Sequence, residues 1–186
     1  MSTLSIRLFG DPVLRSRAAE VETFDEALER LASDMLEAMR QAAGAGLAGN
    51  QVGVLKRLFT WEHDDEHGAV VNPEILETSE DIEEGEEGCL SFPGLFYPTE
   101  RPLRARLRAQ NLHGEEFETV GEGLRARIFL HEIDHLNGVL FIDHLAKHDR
   151  KDAMRRIRAG ELEEAARHRD EAREGARHGE DAPPVA

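Results

Sequence analysis

Residues 128–136 read IFLHEIDHL, two histidines with a glutamate between them inside an otherwise apolar run. Such a run belongs in a core, yet buried imidazoles and carboxylates need partners. If the segment is helical, four residues turn the chain about 400°. His131 and His135 then leave nearly the same face, one turn apart. That arrangement lets two imidazoles reach one metal ion. The alternative is a pair of histidines satisfied by hydrogen bonds in a core. In metal hydrolases with the HExxH spacing, the acid after the first histidine orients and deprotonates a water, the role open to Glu132.

Two ligands hold an ion poorly, so the third decides the chemistry. The longer pattern HExxHxxGxxH matches at Gly138 but fails at Phe141, which cannot bind a metal. Downstream acids are Asp149, Asp152 and Glu161, in a charged stretch with no apolar frame to hold them. Cys89, the only cysteine, is the better candidate. Its context, EEGCLSFPG, is a constrained loop or strand end. A thiolate and two imidazoles leave a fourth position for water, which a catalytic site needs and a closed structural site lacks. Taken alone, a single cysteine reads as a small buried hydrophobe, and it excludes an intramolecular disulfide.

A third stretch, GAGLAGNQVG, combines glycines that allow close backbone approach with the uncharged pair Asn50-Gln51. No GK[ST] follows, so it is not a phosphate-binding P-loop. The Gln51 amide is the type of neutral donor that a developing oxyanion uses. A helix cap followed by a polar turn is the plainer alternative.

Around these stretches the pattern is that of one domain. TFDEALERLASDMLEAMRQAAGAG predicts a helix with a Thr23/Glu26 capping box, an apolar face of Leu28, Leu31, Ala32, Met35, Leu36 and Met39, and a close at Gly44 and Gly46. Residues 54–61 and 69–76 predict strands, the second broken near Asn72-Pro73. Strict alternation over 103–110 predicts a half-buried antiparallel strand, Leu103, Ala105 and Leu107 against Arg104, Arg106 and Arg108. Its arginine row reads as a solvated face, or as a row pairing with acidic neighbours. The acids between Glu77 and Glu87 read as surface loop charges. Gly114 marks a turn before a further strand, Gly121 and Gly123 lead into the histidine helix, and Asn137-Gly138 ends it. From Lys147 to Arg158 the chain is basic; after that it is helix-prone but too poor in large apolar residues to bury a face. The expected division is a catalytic domain over 1–146 and a charged helical extension over 147–186 whose end is disordered.

A net charge of −15 argues against DNA and anionic membranes as bulk partners, and no apolar run is long enough to span a bilayer. With no recognisable signal peptide, a cytoplasmic location is expected.

GAGLAGNQ at 44–51, EGCLS at 87–91 and HEIDH at 131–135, in that order, resemble the motifs of the peptide deformylase family. The match extends to DPVL at 11–14, PGL at 93–95 and HLNGVLFIDHL at 135–145, so it covers roughly residues 5–146. Gly49 stands where the family usually has alanine, and Leu130 where a glutamine usually precedes the first histidine. The resemblance implies an α+β fold in which antiparallel or mixed strands surround a central HExxH helix, with an N-terminal helix and a C-terminal helical tail. It implies a metal-dependent hydrolase that removes the N-formyl group from the formyl-methionine of newly made polypeptides and releases formate. Cys89, His131 and His135 would bind one divalent ion, Fe²⁺ by resemblance, with Zn²⁺, Ni²⁺ or Co²⁺ as substitutes. Glu132 would be the base, and the Gln51 amide and the Leu90 N–H would hold the oxyanion. Ala45, Gly46 and Gly88 would pair with the substrate backbone, while Ile128 with Leu124 or Phe129 would line the methionine pocket. Glu87 has two readings, a contact behind a metal ligand or a plain ion pair. A related N-acyl amide hydrolase or peptidase is the alternative function, and a non-catalytic metal-binding or ribosome-associated protein a further one. The basic stretch 147–158 leaves contact with the ribosome exit region open beside a plain solvated helix.

Overall fold

The computed structural model describes residues 4–180, with side chains through 172. The architecture is α+β. Helix α1 spans Glu26–Gln41 and buries Leu28, Ala32, Met35 and Met39 along one face. Its cap is Asp25, whose carboxylate accepts from the Leu28 N–H at 3.0 Å, and not the predicted Thr23. An aspartate directly ahead of the first turn satisfies the free N–H groups without a capping box. At the other end the Gly44 N–H reaches the Met39 carbonyl at 2.9 Å and the Ala43 N–H reaches that of Arg40 at 3.0 Å. The left-handed residue in this closing motif is Ala43, φ 54°, and not a glycine. An L-residue there costs roughly 1–2 kcal/mol. Ala43→Gly is therefore expected to raise the unfolding free energy by about 1 kcal/mol in urea titration; a variant no more stable than its parent would show that nothing is strained there.

Five strands form one antiparallel sheet in the order β1 (Gly46–Ala48), β2 (Leu58–His63), β3 (Glu66–Thr78), β6 (Arg104–Gln110) and β7 (Glu116–Glu122). The predicted strand 54–61 begins only at Leu58, because Val54 still bonds back to the Gly49 carbonyl. The predicted break at Asn72-Pro73 is a bulge inside the longer β3, where pairing to β6 shifts between Val71 and Glu74. Asn72 takes φ 49° there, and its amide bonds Val21 on both backbone groups and Gln110. Proline has no N–H for the ladder, so the bulge is where it fits. On β6, Ala105, Leu107 and Ala109 are buried. Its arginines pair with acids across the sheet, Arg106 with Glu77 and Glu118, and Arg108 with Glu74.

The acid-rich segment expected to be loop is instead largely strand. β4 (Ile82–Gly88) pairs in antiparallel register with β5 (Phe96–Pro102) in a separate two-stranded ribbon. Glutamate and glycine are poor strand formers, so local preference hides a strand that the pairing with β5 imposes.

Helix α2 (Leu124–Leu136) follows β7 through Gly123, φ 56°, and packs against β1, β2, β6 and β7. It is buried on nearly every side from Ala126 to Leu136. Phe129 sits in the core against Phe59 and, edge to face, Trp61, with ring centroids 5.2 Å apart in the second pair. Leu130 packs with Ala105 and Ala126, so the departure from glutamine is filled by apolar contact.

Two more helices, α3 (Lys147–Arg158) and α4 (Glu161–Glu180), turn on Gly160, φ 82°. Contrary to the expectation of an exposed tail, α4 buries Leu162 and Ala166, with Leu162 in the cluster around Phe92, Leu95 and Phe141. One leucine and small residues suffice where the helix lies close to a glycine, here Gly94 under Ala165. The expected disordered end falls in residues 181–186, outside the described residues. Among those described, no helix is long and apolar enough to cross a membrane.

Candidate metal centre

Cys89 follows the last residue of β4, in a turn closed by the Phe92 N–H on the Cys89 carbonyl at 2.8 Å. Fully buried Phe92 anchors that turn in the core. α2 brings His131 and His135 to it from the other side, with ring centroids 4.9 Å apart and planes at 70°. Cys89 Sγ lies 3.2 Å from His135 Nε2, and one donor atom from each of the three residues falls within 4.8 Å of the others. Among the described residues this is the one group of three or more such side chains able to share an ion.

The His131 ring is held from behind. Its Nδ1 is 2.7 Å from Glu87 Oε1, which assigns the proton to Nδ1 and leaves the Nε2 lone pair for an ion. Glu87 is itself gripped by Arg101, through both nitrogens of a fork at 3.0 and 2.7 Å, and by Arg127 at 3.1 Å. Arg101 continues to Asp134 at 2.7 Å, and Asp134 to His144 at 2.8 Å. Burial alone would raise the Glu87 carboxyl, but these bonds win and hold it far below the usual carboxylate range. Burial likewise opposes a charged His131, yet its bonds to Cys89 and Glu87 push the pKa of the metal-free ring up; the second proton sits on Nε2, where a bound ion would replace it. His135, buried and next to His131, is pushed down and stays neutral, the form that binds a metal.

Glu132 is buried, and burial raises its pKa to about 7. The residue opposite is Gly46: a Cβ there would collide with Glu132 Oε1, so only glycine lets β1 pass so close. The Gln51 carbonyl oxygen accepts from the Ala48 N–H at 2.8 Å, which turns its NH₂ toward Cys89 Sγ at 3.5 Å and Ser91 Oγ at 3.3 Å. Gly49, the other departure, is tightly enclosed: a Cβ would stand 2.7 Å from the Val54 carbonyl oxygen and 2.8 Å from that of Lys56.

A cavity of about 460 Å³ opens onto this cluster. Cys89, His131 and Glu132 line it, as do Gln51 and Leu90. Ala45, Gly46, Gly88, Leu124 and Ile128 also reach its wall, whereas His135 lies behind it and Phe129 is sealed in the core. Phe129 is thereby removed from the methionine-pocket candidates. A sulfur and two imidazole nitrogens suit a borderline divalent ion with a position left open. Glu132 Oε2 is buried with no hydrogen-bond partner among the described residues, so polar capacity is left over beside the cluster. The residues present therefore fit a metal ion.

Arg101, Arg127 and Arg169 were not among the sequence candidates. Arg127 precedes His131 by one helical turn, a spacing that would have pointed to it. Arg101 and Arg169 are distant in sequence and carry no local signal.

The family model for polypeptide deformylase matches residues 3–151. A peptide deformylase of Parafrankia sp. (strain EAN1pec) is 48% identical over 162 residues, 87% of this chain and 88% of that protein. One from Thermotoga neapolitana is 52% identical over 140 residues, 75% of this chain and 85% of that protein. The crystal structure of peptide deformylase from Thermotoga maritima superposes with a TM-score of 0.77 at 48% identity, covering 78% of this chain and 99% of that one. That of a peptide deformylase from Legionella pneumophila does so with a TM-score of 0.81 at 40% identity, covering 88% and 98%.

Proposed function

The chain belongs to the polypeptide deformylase family, metal-dependent hydrolases that remove the N-formyl group from newly made polypeptides, and we propose that Glu132, Gln51 and Leu90 carry that reaction beside one divalent ion, Fe²⁺, held by Cys89, His131 and His135. The observation that supports this assignment best is the convergence of the sulfur, the two imidazoles and the Gln51 amide in one cluster, which opens beside Glu132 onto one cavity. Zn²⁺, Ni²⁺ or Co²⁺ suits the same donors in a given preparation. When bound, the ion supplies Lewis acidity to a water and to the formyl oxygen.

The residues of the chain do the rest. Glu132 takes a proton from the attacking water. The Gln51 NH₂ and the Leu90 N–H donate to the formyl oxygen as charge builds on it. As the C–N bond breaks, Glu132 returns its proton to the departing amine, and formate and a free amino terminus remain. The peptide lies along the outer edge of β1, with Ala45 and Gly46 on one side and Gly88 on the other, as an added strand. Leu124 and Ile128 face the methionine side chain. Gly46, Gln51 and Leu90 crowd the formyl end, leaving space for a hydrogen but not for a methyl.

In this proposal residues 1–146 carry the catalytic groups and 147–186 are the charged extension, helical in α3 and α4 through Glu180. The substrates are N-formylmethionyl peptides of nascent chains, in the cytoplasm. Contact of the basic helix α3 with the ribosome exit region is the weaker part, since Arg150, Arg155 and Arg156 are engaged by Asp143, Asp152 and Glu161.

Anaerobic release of formate from formyl-Met-Ala, with metal content measured alongside, tests the assignment. Acetyl-Met-Ala is expected to react at least about 10-fold more slowly, the usual penalty for one misfitting methyl. Equal turnover of the two would point to a general N-acyl amide hydrolase.

A further inference from the structure

Helix α4 reaches the active-site cavity, where Ala165 and Arg169 form part of the wall. Leu162, Ala165, Ala166 and Arg169 recur at intervals of three and four, so they share one helix face. Leu162 and Ala166 dock that face on the domain, and Ala165 covers Gly94. The corner before it is tied by Arg156, which bonds Glu161 at 2.7 Å and the Gly94 carbonyl at 3.1 Å. One turn further on, Arg169 Nη1 donates to the Leu90 carbonyl at 3.0 Å. Its side chain is 16% exposed, and the nearest acid is its own neighbour Asp170, 3.6 Å away at Nε. Its Nε makes no hydrogen bond among the described residues.

The carbonyl it holds belongs to a crowded segment. Cys89 is a candidate ligand, Leu90 offers its N–H to the oxyanion, and the Ser91 hydroxyl receives the Gln51 amide. Cys89 is separately held by the Phe92 N–H on its carbonyl, so a small shift at Leu90 moves the oxyanion donor and the wall that excludes a methyl more than the sulfur. We propose that Arg169 is a positioning residue for deformylation: by clamping the Leu90 carbonyl it holds residues 89–91 in register with α2, so that the helical extension completes the active site. The inference rests on the roles assigned above to Cys89 and Leu90.

Arg169→Met keeps the length and packing of the side chain and removes its donors. With formyl-Met-Ala its kcat is expected to fall by roughly tenfold, the scale of one charged hydrogen bond, with KM little changed because the loss falls on the transition state. The preference for formyl-Met-Ala over acetyl-Met-Ala should fall with it, since a freed Leu90 widens the formyl end. Arg169→Lys, which can still reach the carbonyl, should recover part of both. Metal content and thermal midpoint, measured on the same samples, should stay near the parent values. Unchanged kcat and selectivity in Arg169→Met, or a fall that follows lost metal or unfolding, would overturn the role of Arg169. A parent enzyme without formyl selectivity would instead overturn the assignment of the site itself, so the two failures are distinguishable.

Discussion

Glu132→Gln is expected to lower formate release by about 10²–10⁴-fold while leaving the metal content at the parent level. The amide is nearly isosteric with the carboxylate, so the contact with Gly46 survives. What is lost is the group proposed to accept and then return the proton. Cys89→Ala should behave in the opposite order, losing the ion first and activity as a result. Gly46→Ala offers a third comparison, because it leaves every polar group in place but puts a methyl where Glu132 Oε1 now lies. The pH profile sharpens the test. As the proposed base, Glu132, pushed up to about 7 by burial, would work only when ionised, so the rate should rise with pH through its titration. A cation on Cys89, His131 and His135 favours the carboxylate, so in the loaded enzyme that rise sits lower. It should vanish in Glu132→Gln. A Gln variant that turns over at the parent rate would remove Glu132 from the mechanism.

The candidate site was legible in the sequence where its geometry is local. The four-residue spacing of His131 and His135 depends only on the helix, and α2 supplies it. Cys89 was legible because glycine before it and Pro-Gly after it leave it no place on an amphipathic element. What was not legible depends on pairing between distant segments. The IEEGEEG strand has almost nothing in its composition to mark it, and its partner β5 lies past the Cys89 turn. Phe129 is one residue from the cavity-lining Ile128, yet on a helix buried nearly all round one step of 100° carries it into the core. The docking face of α4 went unseen because its apolar content is one leucine and two alanines. Burial there depends on the shape of the loop at Gly94, which no periodicity reveals.

Glu87 is the case where position in space matters most, and Glu87→Ala is expected to destabilise the fold by about 3–5 kcal/mol, the usual cost of leaving a buried charge unpaired. Its carboxylate faces Arg101 and Arg127 and the Nδ1–H of His131, all three side chains under 10% exposed. Removing it leaves Arg127, among the described residues, with the carbonyls of Glu83 and Thr99, while Arg101 keeps Asp134. The His131 ring also loses the acceptor that sets its tautomer, so metal affinity should fall by roughly 10–100-fold. Acid should reveal the same network. A carboxylate whose folded pKa is depressed contributes stability above its unfolded value, near 4.3, and loses it as pH falls through the folded value. The stability gap between parent and Glu87→Ala, read by urea titration at successive pH values, should therefore be full at neutral pH and narrow progressively below about pH 4. A gap independent of pH would mean that Glu87 stabilises the fold by packing rather than by its charge.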